Sequence, residues 1–211
     1  MTHETLPAGG LELTEAELQA RWANPWRPEQ AAQRLAGVST PWYVAAGWAL
    51  DLFRGEQSRE HGDLEIAVPA GEFAHIRERF ADLECDAVGS GLIWRSAAPE
   101  VLAATHQTWL RPPAADDYLL DVFREPHDGD TWICRHDETI RMPYAEIIRH
   151  TSDGLSYLRP ELVLLFKSKH ARPKDEQDFT GTLPLLDDEQ RSTLAHLLAR
   201  VHPGHSWLPR L

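Results

Sequence analysis

The apolar positions of this chain recur with a helical period in some stretches and alternate one by one in others. Thr14 followed by Glu17 has the form of a capping box, which predicts a helix through "TEAELQARW". A second helix is expected to start near Pro28, where a missing amide costs nothing, and to stop at Gly37. "PWYVAAG" (41–47) reads as a short buried strand ending at a glycine, and "WALDLFRG" as a helix closed by Gly55. Polar "EQSREHG" is a loop and "DLEIAV" (63–68) a strand. In "GEFAHIRERFAD" the apolar Phe73, Ile76 and Phe80 form the stripe of an amphipathic helix. Further strands are expected over residues 84–88, 92–96, 117–124 and 131–135, and the first ten residues read as a mobile tail.

From Pro143 the pattern turns helical: "PYAEIIRHT", "PELVLLFKSKH", "PKDEQDFTG" and "DDEQRSTLAHLLARVH". Three of these open with proline, at home in a first helical turn. The expected architecture is α+β: an N-terminal α/β region, residues 1–145, and a C-terminal helical portion, residues 146–211, packed on it. A length of 211 residues suffices for one domain with an appendage.

Composition changes this picture only in its partners. Twenty-one basic against 33 acidic residues leave a net charge of −12. Nonspecific nucleic-acid or anionic-membrane binding needs a basic footprint, so neither partner is expected, whereas a cationic small molecule suits the chain. No stretch approaches the roughly 18 apolar residues of a membrane span, and the N-terminus lacks the pattern of a secretion signal, which predicts a cytoplasmic protein. Cys85 and Cys134 match no metal or disulfide spacing and read as buried small residues.

The chemistry lies in the carboxylates. In an extended strand Leu64, Ile66 and Val68 share one face, so Asp63 and Glu65 are neighbours on the other, together with Ala67. A face turned to water would account for the pair. The strand "YLLDVF" makes a stronger case, because Asp121 shares a face with Leu119 and Phe123 in a segment that looks buried on both sides, where a lone charge is costly. A structural ion pair with an arginine is the alternative. Three convergent carboxylates would repel one another unless a hard cation such as Mg²⁺ sat among them. Two such ions, about 3.5–4 Å apart, support in-line displacement at phosphorus. Gly47 would let backbone approach a ligand, and the helix after it begins with free N–H groups suited to phosphate oxygens, although a plain turn explains a glycine equally well.

"GWALDLFRGEQSREHGDLEIAV" resembles the signature of the DNA polymerase beta-like nucleotidyltransferase superfamily: a glycine at a strand-to-helix turn, then a carboxylate, an apolar residue and a second carboxylate. More narrowly it is similar to the aminoglycoside and lincosamide nucleotidyltransferase group, in which a "GWALD" helix accompanies an Arg-x-His-x-Asp segment, here Arg59, His61 and Asp63. "LLDVF" and "PELVLLFKSKHARPKDEQDF" extend the likeness over residues 40–185. The resemblance implies a mixed sheet flanked by helices, metal coordination by Asp63, Glu65 and Asp121, and a general-base role for Asp121. It implies that Gly47 and Trp48 border the nucleotide phosphates. The implied reaction moves a nucleoside monophosphate, usually AMP from ATP, onto an alcohol with two Mg²⁺ ions. Two departures stand out: Ala46-Gly47-Trp48 replaces the common Gly-Gly or Gly-Ser turn, and Glu65 is one methylene longer than Asp.

Arg59, Lys167 and Lys174 are candidates for triphosphate contact, with Lys169 and Arg172 nearby in sequence. Helix-end complementarity is the competing explanation for the lysines. His61 would fall on the Asp63 face if the strand began early. The "HPGH" run (202–205) reads as a loop, and Trp94, Trp109 and Trp132 as core residues or base-stacking platforms. The expected activity is therefore Mg²⁺-dependent nucleotidyl transfer to a hydroxyl of an aminoglycoside- or lincosamide-like acceptor. The alternatives are transfer to a protein or RNA, or a nucleotide-binding module without turnover.

Overall fold

A computed structural model of the chain describes residues 6–211. The first elements are β1 (Leu11–Glu12), α1 (Glu15–Arg21), α2 (Pro28–Arg34), β2 (Tyr43–Val44), α3 (Ala46–Arg54), β3 (Glu65–Pro69) and α4 (Phe73–Glu78). Next come β4 (Glu84–Gly89), β5 (Leu92–Trp94), α5 (Pro99–Ala104), β6 (Gln107–Arg111), β7 (Leu120–Glu125), β8 (His127–Asp128) and β9 (Thr131–Ile133). The last are β10 (Arg141–Pro143), α6 (Tyr144–Ile147), β11 (Ile148–His150), β12 (Ser156–Leu158), α7 (Pro160–Ser168), α8 (Pro173–Thr182) and α9 (Asp188–Val201).

These elements form two compact units that interleave along the chain. One comprises the described residues up to Trp42 together with His61–Pro126; the other comprises Tyr43–Glu60 and His127–Leu211. The division differs from a single boundary near residue 145. The reason is packing: α3, early in sequence, lies against α7 and α8, so it groups with the late helices.

In the first unit the strands run β1-β5-β4-β6-β7-β3, antiparallel at every step except the parallel pair β3–β7. Alternation puts Ile66, Val68, Leu120, Val122, Leu110, Cys85 and Ala87 on one buried face, and α4 supplies Phe73 and Ile76 to the same core. Helix α1 starts as expected: the Glu17 amide donates to the Thr14 hydroxyl at 3.3 Å, and the Thr14 amide donates to the Glu17 carboxylate at 2.8 Å. Strand β6 and helix α5 occupy a stretch that the pattern left unassigned.

The expected tail is only partly open to test, since residues 1–5 lie outside the described residues. Residues 6–10 are packed rather than loose. The Trp94 indole donates to the carbonyls of Pro7 and Ala8 at 3.2 and 3.3 Å, and Leu6 lies against the cluster of Ala87, Trp94, Ala97 and Val101. A Cβ at Gly10 would meet Leu92 Cβ at 2.9 Å, so this close passage requires glycine.

In the second unit β2 pairs in parallel with β12, which pairs antiparallel with β11, while β8, β9 and β10 form an antiparallel meander. Helix α7 is buried along almost its whole length, from Pro160 to Leu165, and packs against α3, α8 and α9. The segment "PYAEIIRHT" corrects the helical expectation: it makes one turn, Tyr144–Ile147, and then continues as β11, whose Ile148 faces Leu158. Its apolar residues also suit a strand, and pairing with Ser156–Leu158 decides the outcome. Helices α7, α8 and α9 form where the pattern placed them. Cys85 and Cys134 are both buried, as expected.

Candidate functional site

The register of the first unit lines up the acidic residues. Glu65 is the Cα partner of Asp121 across the parallel β3–β7 pair. Trp109 partners Asp121 across β6–β7, and Asp86 partners Trp109 across β4–β6. Partners share a face, so Glu65, Asp121, Trp109 and Asp86 make one row over four neighbouring strands. Asp121 is 2% exposed and Glu65 half-buried. The Gln107 side-chain amide, from the next row on β6, donates to Oδ2 of Asp121. The Asp121 backbone amide donates to the Leu64 carbonyl at 2.9 Å, which ties the two carboxylate-bearing strands together at this level.

Asp63 is placed differently from the sequence expectation. Strand β3 begins at Glu65, so Asp63 lies in irregular backbone two residues earlier, half-buried, and alternation does not fix its direction. Among the described residues no group of three or more His, Cys, Asp and Glu side chains is assembled to hold a metal ion. Two adjacent carboxylates nonetheless fit Mg²⁺. Like charges directly opposite one another destabilise a sheet, and Mg²⁺ typically takes one or two carboxylates and fills its shell with water and substrate phosphate.

Asp86, at the far end of the row, is neutralised by a built network. The Arg111 Nε donates to it at 2.8 Å, the Tyr118 hydroxyl at 3.0 Å and the Ser96 amide at 2.9 Å, and Arg111 also pairs with Glu84. Burial, with the Asp86 charge adding to it, pushes the Tyr118 phenol up to about 12. Trp109 is half-buried between Trp22 and Tyr118, ring centroids 5.4 and 4.9 Å away, so it packs within an aromatic cluster.

Gly47, Trp48, Arg59, Lys167 and Lys174 belong to the second unit. The strand-to-helix turn is made one residue earlier than the glycine pattern suggested. Ala46 has φ of +49° and opens α3, while Gly47 is an ordinary residue of its first turn. A left-handed alanine costs about 1–2 kcal/mol, and strain of this kind collects where a backbone shape is needed for binding. A left-handed residue followed by helical ones also turns successive N–H groups toward one point, the arrangement that receives anions. Trp48 is buried, at 9% exposure. Gly55, with φ of +78°, closes α3 as expected.

Arg59 and Lys167 meet on one carboxylate that the sequence reading did not single out. Arg59 grips Asp178 with two bonds of 3.1 Å, and Lys167 Nζ lies 2.8 Å from Asp178 Oδ2 and 3.4 Å from Asp175 Oδ1. Arg172 completes the group by donating to Asp175 at 2.8 Å. Burial pushes Asp178 up, but the Arg59 bond and the Lys167 charge outweigh it and hold the carboxyl below its usual range. Lys167 and Arg59 are thus held in an ion network, and Lys174 is exposed at the start of α8. The "RPKDEQDF" spacing carried the signal for Asp175 and Asp178: a pair three apart on a helix whose neighbours are basic.

Among the described residues no helix is long and apolar enough to cross a membrane. The sequence model of the aminoglycoside-2''-adenylyltransferase family matches residues 29–94, which include Gly47, Asp63 and Glu65. No curated protein matches the chain. Among solved structures, a lincosamide antibiotic adenylyltransferase, LnuA, bound to lincomycin, is 17% identical over 83% of this chain and 100% of its own, with a TM-score of 0.52. ANT(2'')-Ia in complex with adenylyl-2''-tobramycin is 12% identical over 82% of this chain and 95% of its own, with a TM-score of 0.55. Fold and sequence pattern agree with the resemblance: the chain is α+β with the fold of these nucleotidyltransferases, and its residues 29–94 are similar to the aminoglycoside-2''-adenylyltransferase pattern.

Proposed function

We propose that the protein transfers a nucleoside monophosphate, from ATP as the expected donor, to a hydroxyl of a small, cationic acceptor of the aminoglycoside or lincosamide type. The observation that carries the reading is the in-register pair of Glu65 and Asp121 on adjacent parallel strands, with a side-chain amide bonded to Asp121. The acidic chain, with a net charge of −12, favours a cationic acceptor. Adenylyltransferases of similar fold have been captured with lincomycin and with adenylylated tobramycin.

In this reading the acceptor oxygen attacks the α-phosphorus, the bond from that phosphorus to the pyrophosphate oxygen breaks, and the acceptor proton passes to Asp121 as general base. Glu65 and Asp121, joined by Asp63, would hold Mg²⁺, whose charge would offset that of the triphosphate. Taken by itself, the turn at Ala46 and Gly47 in the second unit offers backbone N–H groups suited to phosphate oxygens. Trp48 keeps the phosphate-bordering role that the resemblance implies, and Arg59, Lys167 and Lys174 stay candidates for triphosphate contact. For Lys167 and Arg59, contact with phosphate would have to compete with Asp178.

The test is incubation with labelled ATP, Mg²⁺ and a panel of aminoglycosides and lincosamides, followed by separation of labelled acceptor and pyrophosphate. The expected result is one labelled product class that disappears on Asp121→Asn. ATP binding without transfer to any acceptor would remove the small-molecule reading.

A further inference from the structure

Two histidines outside the carboxylate row are brought together within the second unit. His136 lies in the connection between β9 and β10, and His202 follows the last residue of α9. Their ring centroids are 6.1 Å apart, with the planes at 71°. An ion pair ties the two segments beside the rings: Arg200 Nε, on α9, donates to the Asp137 carboxylate at 2.6 Å. Backbone bonds fix each segment in turn. The Cys134 amide donates to the Ile140 carbonyl at 2.9 Å, the Asp137 amide to the Cys134 carbonyl at 3.1 Å, and the His202 amide to the Leu198 carbonyl at 2.8 Å. A third ring, His205, is already committed, since it bonds the Ser168 carbonyl through Nε2 and accepts from the Trp207 amide at Nδ1, both at 3.1 Å.

The other two rings are different. Nδ1 of His136 and Nε2 of His202 are buried and have no hydrogen-bond partner. Leaving a polar atom buried and unsatisfied is costly, so two of them on neighbouring, fixed rings call for a common ligand. The separation suits a metal ion. An imidazole nitrogen sits about 2.0–2.1 Å from Zn²⁺, which puts the ring centroid about 3.2 Å from the metal, so two rings on one ion lie no more than about 6.4 Å apart. The observed 6.1 Å falls inside that limit, and a modest rotation of either ring brings the angle toward tetrahedral. Imidazole favours Zn²⁺, Ni²⁺ and Cu²⁺, whereas Mg²⁺ takes oxygen ligands.

Charge opposes the ion in part. Arg135, Lys169 and His170 act on the His136 ring, and Arg135 lies over the neighbouring Phe166 at 4.9 Å. Arg135, Lys169 and His170 are all exposed, so salt and water screen them. An anion in an open coordination position would answer the charge that remains. Open positions there would be, because among the described residues no group of three or more His, Cys, Asp and Glu side chains gathers around a metal.

We infer that His136 and His202 together bind one divalent cation of the zinc class, in an open site whose other positions hold water or a small anion. The inference concerns the second unit alone and does not rest on the nucleotidyl-transfer reading.

The test uses the full chain at neutral pH with its histidine ring nitrogens labelled, and Mg²⁺ in excess to occupy carboxylates. Stoichiometric Zn²⁺ should move the ring-nitrogen signals of His136 and His202 while those of His75 and His150 stay in place. It should also raise the melting temperature by a few degrees, since a ligand held only by the folded chain stabilises it. His136→Phe and His202→Asn should each abolish that rise. Wild-type His136 and His202 signals that Zn²⁺ leaves unmoved would overturn the inference without any variant. Zn²⁺ stabilisation that survives both substitutions would place the metal elsewhere and overturn it equally.

Discussion

Replacing Asp178 by Asn should be among the most damaging single-atom changes in the second unit. Asp178 is 2% exposed, and Arg59 and Lys167, with side chains 17% and 8% exposed, both depend on it. An asparagine keeps one acceptor for Arg59 at 3.1 Å, but its NH₂ group would face either the second Arg59 nitrogen or Lys167 Nζ, both of them donors. Removing one partner of a buried pair costs about 3–5 kcal/mol, because a charge is left in low dielectric without compensation. Asp175, 3.4 Å from Lys167, offsets part of the loss, which places the expectation near the lower end, at about 3 kcal/mol. Lys167→Met should cost less, since Asp178 retains both Arg59 bonds. Adding Lys167→Met to Asp178→Asn should return about 1 kcal/mol or more of the loss. The assay is urea unfolding followed by tryptophan fluorescence at pH 7, repeated toward pH 3. The carboxyl of Asp178 is held below its ordinary value in the folded protein, so its contribution is complete above about 3.9, the unfolded value, and fades as pH falls through the folded value. The gap between wild type and Asp178→Asn should narrow accordingly. A variant within about 1 kcal/mol of wild type at pH 7, or a gap that does not depend on pH, would refute the argument.

Three further outcomes follow from the same geometry. Asp121→Asn should abolish transfer, by a factor of about 10² or more, while stability stays level or rises by a few tenths of a kcal/mol as repulsion from Glu65 is relieved; a clear fall in melting temperature would contradict this. Burial, with the charges of Arg135 and Lys169 and the nearby His202 and His170 adding to it, lowers His136 from 6.5 to about 4. Between those values the unfolded chain binds a proton that the folded one refuses, so stability should drop by about 2–3 kcal/mol on acidification, a slope that His136→Phe should flatten in urea titrations. Ala46→Gly relieves a left-handed alanine and should raise stability by up to about 1 kcal/mol after the added backbone entropy, whereas Ala46→Val should lower the melting temperature.

Local signals were readable in the sequence wherever a few neighbouring residues decide the outcome. The Thr14–Glu17 cap, the Gly55 closure of α3 and the proline starts of α2, α7 and α8 all depend on contacts within a turn or two. Alternation within "DLEIAV" and "YLLDVF" was enough to select Glu65 and Asp121, because only the side of each strand had to be known. What the chain pattern could not supply was register between distant segments. Gln107 matters only because β6 and β7 slide to one particular alignment, and Asp178 only because Arg59, 119 residues away, folds onto it. "IIRHT" went wrong for the same reason: its apolar spacing suits a helix, but a partner strand eight residues on claims it. The left-handed residue at Ala46 was masked by the glycine beside it, which is the residue type that such a conformation favours.

The interleaving of the two units sets an order of events during synthesis. Once Pro126 has left the ribosome, every strand of the first unit is available to pair, whereas residues 43–60, made long before, must wait for α7 and α8 to emerge. The buried apolar surface of α3, with Trp48, Ala49 and Leu50, is therefore exposed for more than a hundred residues of translation. At bacterial-like rates of about 5–20 residues per second that is many seconds, long enough for a chaperone to bind it. A fragment ending at residue 145 would keep α3 permanently in that state, and should aggregate where the intact chain folds.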